Sequence, residues 1–232
     1  MTGDLLDEEE QEERKESRWE AAPAVVVVIV LQAALAITSQ RREWKLWGLP
    51  WWVWLIPILP ETALLVALAW SRSRRLLEQI GRRRTAALAL LGIISLSNGL
   101  LLVALIGSLI RGEQTSAGAL LMEAGAIWAT NVIAFGLWYW AFDRGGPVRR
   151  FEPDPPPPDF QFPQMENPEL AAPGWYPEFF DYLYVSFTNA VAFSPTDAMP
   201  LSRLAKRMML AESSISAVTV LLVAARAVNI IG

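Results

Sequence analysis

The chain has 232 residues, 53 % of them hydrophobic, a formal net charge of −4, and neither cysteine nor histidine. Disulfides, thiolate nucleophiles, imidazole bases and His-ligated metals are thereby excluded. With no nucleophile–base pair, metal cluster or glycine-rich phosphate loop in the sequence, neither an enzyme nor a bound cofactor is expected, and nothing points to nucleic acid.

The charge is unevenly placed. Nine acids lie between Asp4 and Glu20, against Arg14, Lys15 and Arg18. A dense acidic run with few apolar residues reads as a solvated, disordered tail over residues 1–20. Its sign is also opposite to the start of a secretory signal peptide. Beyond it the apolar residues cluster in runs near the roughly 20 that cross a bilayer core.

The first run is Ala21–Thr38, with Gln32 its only strongly polar member; Arg41, Arg42 and Lys45 follow it. The second, Trp47–Trp70, contains Pro50, Pro57 and Pro60 and is expected to kink. A loop with Arg72, Arg74, Arg75, Arg82, Arg83 and Arg84 leads to a third run, Ala86–Ile110, and a fourth from Ala117 to Phe142. Trp47, Trp51, Trp70, Trp138 and Trp140 sit at the ends of these runs, where amphipathic rings prefer the lipid–water boundary. Residues 21–142 thus read as a four-helix transmembrane region.

From 143 to 177 the character changes, with ten of the sixteen prolines between Pro147 and Pro177. This stretch is expected to be a connector outside the bilayer, extended or in polyproline II form rather than helical. Glu178–Phe193 is aromatic, carries Asp181, and is short for a full crossing, so a re-entrant helix at about 177–190 is expected. The last long run is Ser202–Ile231. The fold class is then an all-α membrane protein of about five transmembrane helices plus one re-entrant, pore-helix-like segment. The arginine-over-lysine bias, with abundant Ala and Leu, fits a multi-pass protein of a bacterial cytoplasmic membrane.

Ionisable groups inside a membrane are costly and are functional candidates by default. Here they are Glu61, Glu123, Glu212 and Arg226, joined by the polar Asn98 and Asn131. If the third and fourth runs form a hairpin, Asn98 and Asn131 fall at similar depth and can bond each other as interhelical glue. In the last helix Glu212, Ser216, Thr219, Val223 and Arg226 recur at helical spacing and share one face. Such a stripe faces either a packed bundle interior or an aqueous path.

The segment from Phe180 to Asn229 resembles the pore half of two-helix potassium channels: pore helix, filter strand, inner helix. Ser186-Phe187-Thr188-Asn189-Ala190-Val191-Ala192-Phe193-Ser194 aligns without gaps to the filter motif, and Pro200-Leu201-Ser202-Arg203 stands where the family has Pro-Leu-Gly-Arg. Glu212 falls where many members carry glutamate, and Ser216 at the flexible inner-helix glycine. This C-terminal half is also similar to actinobacterial membrane proteins. The resemblance covers about fifty residues and implies a homo-oligomer, most simply a tetramer, with Thr188, Asn189, Ala190, Val191, Ala192, Phe193, Ser194 and Asp197 at the filter and its mouth. It also implies that Ser216 faces the central axis and that monovalent cations are the permeant class. Val191 and Phe193 replace the two filter glycines, however, and non-glycine residues resist the positive φ that aims the filter carbonyls. Pore architecture is therefore implied more strongly than potassium selectivity.

Orientation pulls two ways. A re-entrant segment puts the tail, the six-arginine loop, Arg144/Arg149/Arg150 and Arg203/Lys206/Arg207 on one side, opposite Arg41, Arg42, Lys45 and Arg111. The positive-inside rule makes the richer side cytoplasmic, whereas the family's pore loop enters from outside. Three readings follow: a weakly selective cation pore, a non-conducting scaffold or partner-binding protein, and a small proton-linked transporter using Glu61, Glu123 and Glu212.

Overall fold

A computed structural model describes residues 21–41, 50–70, 82–112, 117–151, 153–194 and 197–231, with backbone alone from 226 onward. The acidic tail, most of the arginine loop and the Arg226 side chain lie outside the described residues. Among the described residues five helical segments are long and apolar enough to cross a membrane, the second of them being the stretch Trp51–Ala69 that combines a 3-10 turn with α2. Helix α1 is Ala22–Arg41. A one-turn 3-10 helix, Trp51–Leu55, then precedes α2, Ile58–Ala69. Helix α3 is Arg83–Ile110 and α4 is Ala117–Phe142. The four-residue helix α5, Pro163–Glu166, the 14-residue helix α6, Phe179–Ala192, and the long α7, Arg203–Ile231, complete the order.

The 3-10 turn gives way to α-helix at Pro57, the N-cap of α2. A proline lacks the N–H that a helix interior needs, but at a helix start that N–H has no intrahelical partner anyway. Pro60, also in the first turn, is tolerated for the same reason, and the Glu61 N–H bonds the Pro57 carbonyl at 3.1 Å.

Helix α4 is the hub, packed against α1, α3, α6 and α7. Where it meets α6, a Cβ on Gly136 would lie 3.0 Å from Leu183 Cα, so the two backbones approach as closely as they do because this residue has no side chain. Large apolar side chains stand on the exterior of the long helices and of α6: Leu59, Leu96, Ile110, Phe180 and Leu221 are all exposed. Polar side chains instead turn inward, among them Gln32, Glu61, Asn98, Asn131 and Glu212. That distribution is the reverse of a water-soluble bundle, in which large exposed apolar patches are uncommon.

The proline-rich stretch is not free of helix throughout: the run Pro155–Pro158 carries no helix or turn, but the segments around it do. Short 3-10 turns at Asp143–Gly145, Arg149–Phe151 and Pro168–Leu170 fold it back, and α5 starts with Pro163 at a first-turn position that proline suits. Strand β1, Phe160–Gln161, pairs antiparallel with β2, Met199–Pro200. The Leu201 N–H also bonds the Asp159 carbonyl at 2.8 Å.

This pairing has a topological consequence. The chain leaves the connector level along α6 and by Met199–Pro200 is back beside Phe160–Gln161, at the level where it started. Tyr182 shares a core cluster with Ala205 and Met209, and Asn189, further along α6, bonds to Met209 and Ser213, so α6 and α7 run parallel. Fourteen residues of helix advance about 21 Å, short of a bilayer core of about 30 Å. Within the fold, α6 therefore runs into the bundle and the chain returns to the end from which α6 set out.

Candidate functional site

The polar groups of α4, α6 and α7 converge on Glu212, which is fully buried. Its carboxyl accepts hydrogen bonds from the Tyr139 hydroxyl, the Ser186 hydroxyl and, at 2.6 Å, the Asn189 amide. Two of the three partners are tied elsewhere as well. Ser186 lies 2.7 Å from the Val132 carbonyl, and the Asn189 amide also donates to the Met209 carbonyl at 3.1 Å. Ser213 donates to Asn189 Oδ1 at 3.0 Å. One turn deeper, Asn131 donates to Ser216 Oγ at 3.1 Å and to the Glu212 carbonyl at 3.4 Å. Three helices are thus fastened through one carboxyl group.

The stripe Glu212–Ser216–Thr219 accordingly faces the chain's own bundle. Ser216 is fully buried, and Thr219, 2 % exposed, returns its hydroxyl to the Ile215 carbonyl. Val223 packs against the core cluster around Ala124 and Ile127. The placement of Ser216 on an oligomer axis is corrected by this burial: its side chain is consumed by Asn131. The same bond displaces the Asn98–Asn131 pair. Asn131 turns to α7 instead, and Asn98 Oδ1 is left without a partner.

A second cluster is separate from the first. Glu61 accepts from Gln32 at 3.2 Å and Ser97 at 3.3 Å, joining α1, α2 and α3. Glu61 lies in the first turn of α2, its N–H tied to the capping Pro57 carbonyl. Glu123 is also fully buried, beside the core residues Leu120 and Ala124.

The filter-like residues do not form a strand. Thr188, Asn189, Ala190, Val191 and Ala192 are all helical, forming the end of α6. Local bonding explains this: Thr188 returns its hydroxyl to the Val185 carbonyl at 3.0 Å, and Asn189 is pinned to α7. The helix stops at Phe193, whose backbone is left-handed (φ 54°, ψ 28°) and whose N–H closes on the Asn189 carbonyl. That conformation costs a non-glycine residue about 1–2 kcal/mol. Among the described residues of this stretch a positive φ occurs at Phe193 alone, as a helix cap, and not in the alternation a carbonyl filter requires. Asn189 and Ala190 are buried, whereas Val191, Ala192, Phe193, Ser194 and Asp197 are exposed around the tip and return of the hairpin.

Two groups that matter here carried no distinct sequence signal. Buried Asp143 accepts from the N–H groups of Asp159 at 2.7 Å and Phe160 at 3.2 Å, and from the Tyr182 hydroxyl at 2.5 Å. Arg150 donates to the carbonyls of Trp140 at 2.5 Å and Pro177 at 3.0 Å, and its guanidinium lies 5.2 Å from the centre of the Tyr182 ring. Together they lock the connector onto the mouth of the α4–α6 pair. Tyr139 and Ser186 were equally silent, because a lone hydroxyl in an apolar run is usually a packing residue. Only their meeting at Glu212 distinguishes them.

These helices define a class: an all-α bundle with five segments able to cross a membrane. No protein-family model matches the chain, and no curated protein or solved structure matches it either.

Proposed function

We propose that the chain is a multi-pass membrane protein whose C-terminal unit is a pore loop, assembled in several copies as a weakly selective cation path. The observation that carries this reading is the re-entry: α6 enters, the chain returns beside Phe160, and α7 then runs parallel to α6. Parallel pore and inner helices joined by a short return are the architecture implied by the potassium-channel resemblance. The inverted burial, polar inside and apolar outside, supports the membrane setting.

The exposed tip residues Val191, Phe193, Ser194 and Asp197 are the ones that neighbouring copies would enclose. An α6 that stays helical through Ala192 brings the C-terminal end of its dipole to that point, which favours cations over anions. Without a glycine-built carbonyl ladder, discrimination between potassium and sodium is weak, and apolar Val191 and Phe193 make a constriction that gates by dewetting. The second reading, a non-conducting scaffold, is favoured by one observation: the polar stripe of α7 is closed within a single copy.

Current across planar bilayers containing the purified protein separates them. The pore reading expects cation current with a reversal potential near zero in a potassium/sodium gradient. A monomer in mild detergent together with silent bilayers would refute it and leave the scaffold.

A further inference from the structure

Glu61 and Glu212 are both fully buried, yet their carboxyl groups are served very differently. Glu212 takes donors on both oxygens, Ser186 on Oε1 and Tyr139 with Asn189 on Oε2. Glu61 takes both of its donors, Gln32 and Ser97, on Oε1, and its Oε2 has no partner. Ser97 has one hydroxyl proton for three acceptors, and the carbonyls of Ile93 at 2.9 Å and Ile94 at 3.0 Å lie nearer than Glu61 Oε1 at 3.3 Å. The dependable donor to Glu61 is therefore the Gln32 amide, whose own oxygen, Oε1, is likewise without a partner. Gln32 is 4 % exposed, so both orphan oxygens are shut off from solvent.

The unused atoms of this pair are both acceptors, and a surplus of buried acceptors calls for a positive ligand. The backbone points the same way. The span Trp51–Ala69 is interrupted where its 3-10 turn gives way to α2, and Glu61 follows in the first turn. Pro60 has no N–H, so the Ile56 carbonyl cannot receive the bond that a continuous helix would supply from residue 60. Interrupted membrane helices are where ion-coordinating oxygens collect. We propose that the chain binds one monovalent metal cation between Glu61 Oε2 and Gln32 Oε1. Carboxylate and carbonyl oxygens suit a hard ion, and a single carboxylate balances a single positive charge. The ion fastens α1 to α2 at the break in the second span, beside Ser97 of α3. The inference goes beyond the proposed pore, uses no residue of α6 or α7, and holds or fails independently of conduction.

The test is thermal unfolding of the purified full chain in non-ionic detergent, followed by tryptophan fluorescence. Sodium or potassium chloride replaces N-methylglucamine chloride at constant ionic strength. An ion held only by the folded state raises Tm with the logarithm of its concentration, by about 3–5 °C per tenfold for a chain of this size once the site fills. Wild type is expected to follow that slope in sodium, in potassium or in both. E61Q keeps an acceptor for the Gln32 amide but no charge, and should show no slope. Q32L should need at least several-fold more of the ion before the slope begins. D197N, in the return after α6, should keep the wild-type slope. Equilibrium dialysis of the wild type against the radioactive ion should return one ion per chain, which keeps the test decisive if E61Q does not fold. A flat wild-type response to both ions overturns the proposal, as does a wild-type slope in E61Q. A slope lost in D197N also overturns it, because the ion then sits at the proposed pore mouth and not at Glu61.

Discussion

Replacing Glu212 by alanine removes the acceptor shared by Tyr139, Ser186 and Asn189, and the three losses are unequal. Ser186 keeps the Val132 carbonyl and Asn189 keeps the Met209 carbonyl, so each loses one interhelical bond of about 0.6 kcal/mol, the average measured inside membranes. Tyr139 is fully buried and Glu212 is its hydrogen-bond acceptor. An orphaned buried hydroxyl costs about 1–3 kcal/mol. The expected destabilisation is therefore about 2–4 kcal/mol, read by unfolding in mixed micelles of rising SDS content with tryptophan fluorescence as the signal. Glu212→Gln keeps one acceptor oxygen and should cost about half as much. In the E212A background, Tyr139→Phe removes the orphan and should restore about 1–2 kcal/mol, although in the wild-type background the same change destabilises. If E212A stays within about 0.5 kcal/mol of wild type, the range of ordinary surface substitutions, or if Y139F adds to its damage, the three-helix tie is not what holds α6 in place.

Two further outcomes are expected. Because the chain has no native cysteine, single cysteines at exposed Leu170 and Met199 can be labelled without background, and both should react from the same side of sealed vesicles; reaction from opposite sides would make α6 a full crossing. Asp143→Ala should free the connector, since it removes the acceptor for two backbone N–H groups and Tyr182. Limited proteolysis between residues 153 and 177 should then run at least several-fold faster than in wild type, given about 1 kcal/mol or more for each such bond to a charged group; an unchanged cleavage rate would show that the arginine tie alone suffices.

Length and apolar patterning by themselves determined which segments are long helices. The runs 21–38, 86–110 and 117–142 reappear as α1, α3 and α4 with ends shifted by at most three residues, because a stretch of roughly 20 apolar residues has few ways to satisfy its backbone other than as a helix. The short run 178–193 reappears as the 14-residue α6. What side chains do inside the bundle was not legible. Helical spacing put Glu212, Ser216 and Thr219 on one face, but the direction of that face depends on which helix packs there, and α4 with α6 took it inward. Asn98 and Asn131 illustrate the same limit: equal depth made a pair plausible, while the rotation of α4 about its own axis gave Asn131 to Ser216. The connector was misread for a different reason. Proline content argues against long helices, yet it says nothing about Asp143 and Arg150, whose bonds to distant backbone groups fold the stretch into turns. The filter-like residues, likewise, are helical because Asn189 finds Met209 and Glu212 across a gap of twenty or more residues, a contact that exists only once α6 and α7 lie side by side.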